Sequence, residues 1–510
     1  MRHRGFGLCD PRGMGWTFSR TCAAFVALAA SCSATDLEHR IDALVEATAG
    51  NAGARLLGIA GIHVVDVSTG QTLYRHNENL LLLPASNFKL LTTALALDRL
   101  GPGYRFTTRL VREPSGDLVL VGGGDPSLSG REYPYRKNGA PANGAPATSA
   151  MPRSAMQAMD ELAAQVAAHG VTKIDGDIVG DDRAYPWEPY PPSWTQDDTL
   201  RGYGAPVSAL SLNDNVVTVA LQPGRRTGDP AQLIISPAFE YLTIDNRALT
   251  GVRGGAPGIH LEHASGSRHW TITGSVPAGH AAVTETIPVD DPALFAAVAL
   301  HDALTRRGIL VQGKAIARHR PATAAYTALE GEEIASRLSP PLTELLQVMD
   351  KLSLNLHSEL MLREVGRVKH GDGTTRNGLA EMAALLAEIG VSPGDWKAED
   401  GSGLSRNDLV TARLLTNVLV HQWRKFGDAF VSLLPVGGED GTLDARLCCI
   451  GVGRAVQAKT GTLARASALS GYADAGAKGR YAFSILVNDF AAPPAAVREW
   501  IDKIATALLE

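Results

Sequence analysis

Ser86 and Lys89 have the types and the spacing of a serine nucleophile and its base. They lie three residues apart at the start of a segment with a helical pattern, Asn87 to Leu100, so both side chains fall on one helix face. A serine hydroxyl is a weak nucleophile until a base removes its proton, and a desolvated neutral lysine can be that base. The free N–H groups at a helix N-terminus also stabilise developing negative charge. A capping serine followed by a surface lysine is the alternative interpretation.

Two further motifs supply polar groups that could bind a ligand. Ser353 and Asn355 lie two residues apart in an otherwise apolar stretch, so a hydroxyl and an amide could face one cleft. The third motif is a run of four residues, Lys459, Thr460, Gly461 and Thr462. Glycine in a strand permits close approach of a ligand backbone, and a lysine beside two threonines suits a carboxylate. Serine and asparagine also cap and turn the chain, so the second motif means little by itself.

The segments around these motifs predict one α/β domain that is interrupted by a β-rich insertion. Strand-like alternation runs from Gly58 to Val67. Short β-like segments dominate from Arg105 to about Val283, punctuated by glycine, proline and asparagine. Helical patterns then return, including a single pattern from Pro341 to Val365 that contains the second motif. The last helix, Ala496 to Leu509, is amphipathic but not rich in basic residues, which favours packing on a sheet over lying on a membrane.

Residues 1–34 predict an export signal. Positive charges precede a short apolar run from Ala23 to Ala30, and small residues follow it, as in a secretory signal and its cleavage site. The run is shorter than the ~20 residues of a membrane-spanning helix. We therefore expect an exported, periplasmic or otherwise extracytoplasmic protein, with a lipid anchor at Cys32 and peripheral membrane association left open. A short buried N-terminal helix is the alternative.

Composition and charge limit the class of protein. A chain of 510 residues is too long for one ordinary core, so two or three domains are expected. The 48 Lys+Arg and 53 Asp+Glu give a net charge of -5, which argues against a nucleic-acid partner. The 14 histidines and five cysteines show no metal-ligand spacing, so we expect neither a metal nor another cofactor. Signal cleavage would leave only Cys448 and Cys449, and adjacent cysteines rarely form a disulfide.

The three motifs in this order resemble the signature set of penicillin-binding proteins and serine β-lactamases. Ser353 follows Ser86 by 267 residues, which is far more than a single-domain β-lactamase requires. Further strings resemble the penicillin-binding protein 4 family, the class C low-molecular-mass D-Ala-D-Ala carboxypeptidases. They are Gly122–Leu128, Tyr203–Ala209, Asn213–Asn215, Asp400–Arg406 and Asp440–Leu443. The similarity extends from about Ile41 to the C-terminus.

This resemblance implies an α/β (α+β) fold with a transpeptidase-like domain. Its central antiparallel sheet would be flanked by helices, with the active site at the sheet edge. Two smaller β-rich domains would be inserted between the first two motifs. We therefore expect a split catalytic domain, residues 35–106 and 288–510, and an insertion at residues 107–287.

The resemblance also implies a serine-type D-Ala-D-Ala carboxypeptidase or DD-endopeptidase that acts on peptidoglycan stem peptides. Ser86 would be the nucleophile and Lys89 its base. Backbone N–H groups of Ser86 and Thr462 would form the oxyanion hole, typically a contribution of ~3 kcal/mol per donor. The acyl-enzyme would then be hydrolysed, and β-lactam antibiotics would acylate the same serine.

Other motif residues would bind the substrate. By the same resemblance, Ser353 would relay a proton to the leaving D-alanine, and Asn355 would hold the substrate amide. Lys459 would attract the terminal carboxylate, with hydrogen bonds from Thr460 and Thr462. The balance between carboxypeptidase and endopeptidase activity stays open, because one active site serves both.

The family also has a side pocket for the diaminopimelate side chain of the stem peptide, and the matching residues here are Asp198, Tyr203 and Arg406. Aspartate would bind the ammonium, tyrosine would pack on the stem and arginine would bind the carboxylate with a bidentate fork. Surface salt bridges and a core tyrosine are the alternative interpretation.

Two alternatives to the carboxypeptidase share its sequence motifs. A β-lactamase would use the same nucleophile but needs fast deacylation. A wall-binding protein could keep the fold without turnover.

Overall fold

We describe the chain from a computed structural model over residues 36–46, 58–137, 154, 156–264, 267–448 and 453–510. The predicted export signal therefore lies outside the described residues. The strands are, in chain order, β1 (Ile59–Asp66), β2 (Thr72–His76), β3 (Thr107–Arg112), β4 (Leu118–Val121), β5 (Lys173–Ile174), β6 (Ile178–Asp181), β7 (Val216–Gln222), β8 (Gln232–Ser236), β9 (Thr243–Asn246), β10 (Leu249–Gly251), β11 (Gly258–His263), β12 (His269–Pro277), β13 (Val283–Pro288), β14 (Leu310–Val311), β15 (Ala315–Arg318), β16 (Glu332–Leu338), β17 (Trp396–Lys397), β18 (Leu409–Val410), β19 (Val456–Leu463), β20 (Ala466–Asp474) and β21 (Arg480–Asn488). The α-helices are α1 (36–46), α2 (Lys89–Leu100), α3 (Gln157–Ala168), α4 (Gln196–Thr199), α5 (Pro292–Arg306), α6 (Leu342–Leu352), α7 (Asn355–His370), α8 (Thr375–Glu388), α9 (Ala412–Phe426), α10 (Asp428–Val431) and α11 (Pro494–Ala507).

A five-stranded antiparallel sheet combines the first two strands with the last three, in the order β19-β20-β21-β1-β2. Successive side chains of a strand point to opposite faces, and β21 is apolar on both. Ala482 and Leu486 belong to the core formed with α2 and α9. Phe483 and Ile485 belong to the core formed with α1 and α11. Helices therefore cover both faces of the sheet, which confirms the predicted fold class.

The C-terminal helix packs on this sheet. Val497, Ile501 and Ile504 on α11 are buried in the same core as β21, so the predicted packing is confirmed. No helix of the described ranges is both long enough and apolar enough to cross a membrane.

The inserted region contains two packed units. The sheet β15-β6-β4-β3-β16 shares a core with α3 and α5. A second core lies between the β13-β7-β8 sheet and the sheet that contains β12. Because β15 pairs with β6 and β16 with β3, the inserted sheet continues to Leu338 and does not end at residue 287. The division into domains remains a proposal, and these pairings move its second boundary to about residue 339.

The single helix expected from Pro341 to Val365 is wrong, because the chain breaks at Ser353. Helix α6 ends at Leu352, and Ser353 adopts the left-handed conformation (φ 60°, ψ 44°) before α7 begins at Asn355. L-residues disfavour this conformation, and the apolar pattern continues across it, so periodicity does not reveal the break. The break places the second motif at a helix junction.

Candidate active site

Ser86 lies where the start of α2 meets β19, an edge strand of the central sheet. It belongs to a 3-10 turn, Ala85–Phe88, that leads directly into α2. Strand β19 passes close to this turn, since a Cβ at Gly461 would lie 2.5 Å from the carbonyl oxygen of Pro84. Only a residue without a side chain permits that approach. Gly461 therefore brings the third motif beside Ser86.

Lys89 is the hydrogen-bond centre of the site. Its Nζ lies 3.0 Å from Ser86 Oγ and 2.6 Å from Asn355 Oδ1. It also donates to the carbonyl oxygen of Ser402 at 2.7 Å. The side chain is fully buried, so these three oxygens replace its contact with water. The structure thus brings the first two motifs together on Lys89.

Burial controls the charge of Lys89. It lowers the pKa of Lys89 to about 8, because the ammonium has lost the solvation that stabilises it. The carboxylates of Asp400 and Glu359 oppose this shift. Near neutral pH a usable fraction of the amine is therefore neutral and can accept the proton of Ser86.

Two buried carboxyl groups that lie near Lys89 were not predicted from the sequence. Glu359 Oε1 accepts the backbone N–H of Gly401 at 2.9 Å, and Asp350 Oδ2 accepts the hydroxyl of Thr93 at 2.8 Å. Both carboxyl groups are fully buried, and burial raises the pKa of each. The sequence did contain a signal, an acidic residue within an otherwise apolar helix face. Such a residue is typical of a buried polar group with a function.

Ser353 and Lys459 form the second pair of the site. Lys459 Nζ donates to Ser353 Oγ at 2.8 Å and to the carbonyl oxygen of Thr460 at 3.0 Å. Lys459 is fully buried. Burial lowers the pKa of Lys459, nearby Lys89 lowers it further, and Asp350 opposes the shift. The two lysines therefore disfavour each other's charge, so the free site does not favour both as ammonium ions near neutral pH.

The remaining motif residues border the same cleft. Asn355 Nδ2 donates to the carbonyl oxygen of Tyr203 at 2.9 Å, which ties α7 to the inserted region. Thr460 Oγ1 donates to Thr442 Oγ1 at 2.7 Å. Thr462 is exposed near the end of β19, where an incoming ligand can reach it.

The three residues of the expected side pocket also come together. The Arg406 guanidinium forms a two-pronged ion pair with Asp198, one prong of which measures 3.1 Å. Tyr203 is 54% exposed, and its hydroxyl lies 3.4 Å from Asp198 Oδ1. Although burial opposes the shift, hydrogen bonds from Arg406 and Thr195 lower the pKa of Asp198. A charged carboxylate and a charged guanidinium thus stand beside an exposed aromatic ring.

This set of groups can carry out serine acyl transfer. A hydroxyl contacts a buried lysine, a second serine contacts a second lysine, and the strand edge beside them can bind an extended peptide. Over the part of the chain that the structure describes, no cluster of three or more His, Cys, Asp or Glu could hold a metal ion. The fold and the site together define a serine hydrolase of the penicillin-binding class.

Comparisons with known proteins agree with this class. The sequence model of the D-Ala-D-Ala carboxypeptidase 3 (S13) family matches residues 45–508. A D-alanyl-D-alanine carboxypeptidase from Actinomadura sp. (strain R39) is 34% identical over 496 residues, which cover 93% of this chain and 85% of that protein. The carboxypeptidase DacB of Haemophilus influenzae is 22% identical over 84% of this chain and 85% of its own. The crystal structure of penicillin binding protein 4 from Haemophilus influenzae has a TM-score of 0.73 at 21% identity, covering 93% of this chain and 98% of that one.

The chain belongs to the D-Ala-D-Ala carboxypeptidase 3 (S13) family. It is therefore a serine carboxypeptidase of the penicillin-binding protein 4 type, and the family predicted from the motifs is confirmed. The fold similarity to penicillin binding protein 4 independently confirms the predicted architecture.

Proposed function

We propose that this chain is an exported enzyme that trims D-Ala-D-Ala stem peptides of peptidoglycan through an acyl-enzyme on Ser86. The observation that carries the proposal is the 3.0 Å distance between Lys89 Nζ and Ser86 Oγ, at a lysine with no exposed surface. The pKa of about 8 that burial gives Lys89 supports its role as the base. Membership of the S13 family supports the substrate class.

Acylation begins with proton transfer from Ser86 Oγ to neutral Lys89. The serine oxygen attacks the carbonyl carbon between the two D-alanines, and Lys89 holds the proton. Asn355 Oδ1 and the Ser402 carbonyl oxygen then stabilise the ammonium that forms. The turn that carries Ser86 and the end of β19 offer backbone N–H groups, including that of Thr462, to the oxyanion.

Lys459 and Ser353 serve the leaving D-alanine. The terminal carboxylate of the substrate favours the ammonium form of Lys459, which attracts it, and Thr460 and Thr462 also bind this carboxylate by hydrogen bonds. Ser353, at 2.8 Å from Lys459 Nζ, gives its hydroxyl proton to the leaving amine and regains one from the lysine. Departure of D-alanine leaves Lys89 protonated and Lys459 neutral, so Lys89 gives its extra proton to Lys459 or to solvent before the second half-reaction. Neutral Lys89 then takes a proton from the attacking water, the bond between the acyl carbon and the Ser86 oxygen breaks, and Lys89 returns that proton to the Ser86 oxygen.

Specificity for diaminopimelate is assigned to Asp198, Tyr203 and Arg406. A side chain that ends in both an ammonium and a carboxylate matches the two opposite charges beside the tyrosine ring. In the free protein the two charges satisfy each other. The substrate would replace that ion pair with two new ones, so no charge of the pocket would be left unpaired in the complex.

The location of the enzyme is part of the proposal. The substrate class of the S13 family lies outside the cytoplasm, which supports export through residues 1–34 and a periplasmic site of action. Lipid attachment at Cys32 and peripheral membrane association remain options within this proposal.

Release of D-alanine from synthetic peptides tests the activity. Pentapeptides that end in D-Ala-D-Ala should lose one D-alanine per turnover, and a cross-linked dimer should be cleaved if the endopeptidase activity is present. Ser86→Ala should abolish both reactions, whereas Ser432→Ala, at an exposed serine, should keep them. Release of D-alanine by Ser86→Ala at the wild-type rate would disprove the assignment of the nucleophile.

A further inference from the structure

A polar cavity of about 620 Å³ lies at the edge of the central sheet that is opposite β19. It is lined by β1 and β2, by the end of α8 and by one face of α9. Three arginines contribute to this lining, Arg75 from β2 and Arg413 and Arg424 from α9. We call this cavity, defined by Arg75, Arg413 and Arg424, the arginine pocket. No step of the proposed acyl transfer uses it.

The arginine pocket carries excess positive charge. Arg413 is paired with Glu78 at 2.7 Å, and the one lining carboxylate, Glu388, is paired with Arg99 at 2.7 Å. Within the described ranges, Arg75 and Arg424 form no ion pair with a carboxylate. A chain with a net charge of -5 thus has two uncompensated guanidinium groups at one cavity.

Two histidines in the lining respond to this charge. Burial and the charge of Arg413 together lower the pKa of His63 to about 4, although Glu78 opposes the shift. Burial also lowers the pKa of His421, and Arg424 adds to that effect while Glu388 opposes it. Both imidazoles are therefore neutral at physiological pH. They therefore add no charge to the lining, and the ring nitrogens of His63 are occupied by the hydroxyls of Thr416 and Thr72.

We propose that the arginine pocket binds the phosphate group of a soluble ligand, as a phosphomonoester or a phosphodiester. Guanidinium groups that approach from two elements suit a tetrahedral oxyanion, whose several oxygens can each accept a fork of N–H donors. A carboxylate has only two oxygens in one plane, so it matches forks from two directions less well than a tetrahedral oxyanion does. The cavity is also large enough for the atoms attached to the phosphate.

A soluble phosphate is favoured over a lipid headgroup by the composition of the pocket. Protein surfaces that bind membranes combine basic groups with exposed aromatic or large apolar side chains that enter the lipid. The described residues that line the arginine pocket include no aromatic ring apart from the two histidines. The pocket therefore offers charge recognition without an apolar anchor.

Calorimetric titration of the whole chain tests this site, with inorganic phosphate, glycerol 3-phosphate and acetate as probes. Saturable binding of both phosphates and weaker binding of acetate are expected. The double variant Arg75→Ala/Arg424→Ala should weaken phosphate binding by at least about tenfold, since each charge-assisted hydrogen bond contributes strongly. The control Arg225→Ala/Arg226→Ala removes the same charge from an exposed turn of the insertion and should change the affinity by less than about twofold.

Labelling by a penicillin separates this site from the active site. Both double variants should be acylated at the wild-type rate, which also shows that they are folded. The proposal is overturned if the wild type shows no saturable phosphate binding up to ~10 mM, or if the control weakens binding as much as the pocket variant. Arginine-dependent binding to vesicles of phosphatidylglycerol and phosphatidylcholine, without binding of the soluble phosphates, would also overturn it in favour of a membrane contact.

Discussion

The rate of acylation by a penicillin should follow the deprotonation of Lys89. Burial lowers the pKa of Lys89 to about 8, and only the neutral amine can accept the proton of Ser86. This requirement fixes the direction of the pH dependence, because raising the pH converts the inactive ammonium into the active base. The acylation rate constant should therefore rise with pH and level off above the pKa of Lys89.

The size of the rise follows from the pKa. With a value of about 8, the neutral fraction is about 1% at pH 6, about 10% at pH 7 and about half at pH 8. The rate constant should thus increase roughly tenfold from pH 6 to 7 and only about twofold above pH 8. An ordinary lysine would keep a slope of about tenfold per pH unit to above pH 9.

A fluorescent penicillin, with the initial labelling rate measured from pH 5.5 to 8.5, provides the assay. Asp350→Asn removes a buried carboxylate that supports the charge of Lys89, so its inflection should move to lower pH. The expected shift is at most on the order of one unit, because burial raises the pKa of Asp350 to about 7 and its carboxyl group is only partly charged over the assay range. Glu344→Gln removes the same charge from the first turn of α6 and should leave the inflection unchanged.

Two results would refute this reasoning. A rate that keeps rising tenfold per unit through pH 8.5 would mean that Lys89 titrates as an ordinary surface lysine. A rate independent of pH over the whole range would mean that Lys89 does not accept the proton of Ser86.

Three further predictions concern stability and specificity. Burial raises the pKa of Glu359 to about 8, so the native protein loses stability as the pH rises from about 4.5 to 8. In urea unfolding, the advantage of Glu359→Gln over the wild type should therefore grow by up to about 4 kcal/mol between pH 5 and 9, and a pH-independent difference would contradict this. Ser353→Gly should raise the free energy of unfolding by up to about 1 kcal/mol, because glycine adopts the left-handed conformation without strain, while D-alanine release falls. Ser353→Ala should lose activity without gaining stability. Equal free energies of unfolding for the two variants would contradict strain at Ser353. Tyr203→Ala and Arg406→Ala should each raise the KM for a diaminopimelate pentapeptide about tenfold without affecting penicillin labelling. The control Arg201→Ala should leave this KM unchanged. An unchanged KM in Tyr203→Ala and Arg406→Ala would contradict the assignment of the side pocket.

The sequence predicted the site through short-range chemistry. The spacing of Ser86 and Lys89 places them on one side of a turn that enters a helix, and the structure has them in contact. The glycine of the third motif lies where β19 meets that turn. The contact within the first motif follows from local geometry, whereas the meeting of distant motifs was expected from the family resemblance.

The parts that were missed depend on contacts between distant segments. The Ser402 carbonyl oxygen that binds Lys89 is a backbone atom, which no side-chain motif identifies. The left-handed conformation of Ser353 interrupts a helix whose apolar pattern does not change. The pairing of β16 with β3, which bears on the proposed domain boundary, likewise joins segments more than 200 residues apart.

The intact mass of the purified protein, measured with and without benzylpenicillin beside that of Ser86→Ala, shows whether Ser86 forms the acyl-enzyme. A stable mass increase equal to one penicillin is expected in the wild type, and no increase is expected in the variant. Rapid loss of the drug without an adduct would instead indicate a β-lactamase. Neither adduct nor drug loss from a folded protein would contradict the acyl-enzyme on Ser86 and favour a wall-binding protein without turnover.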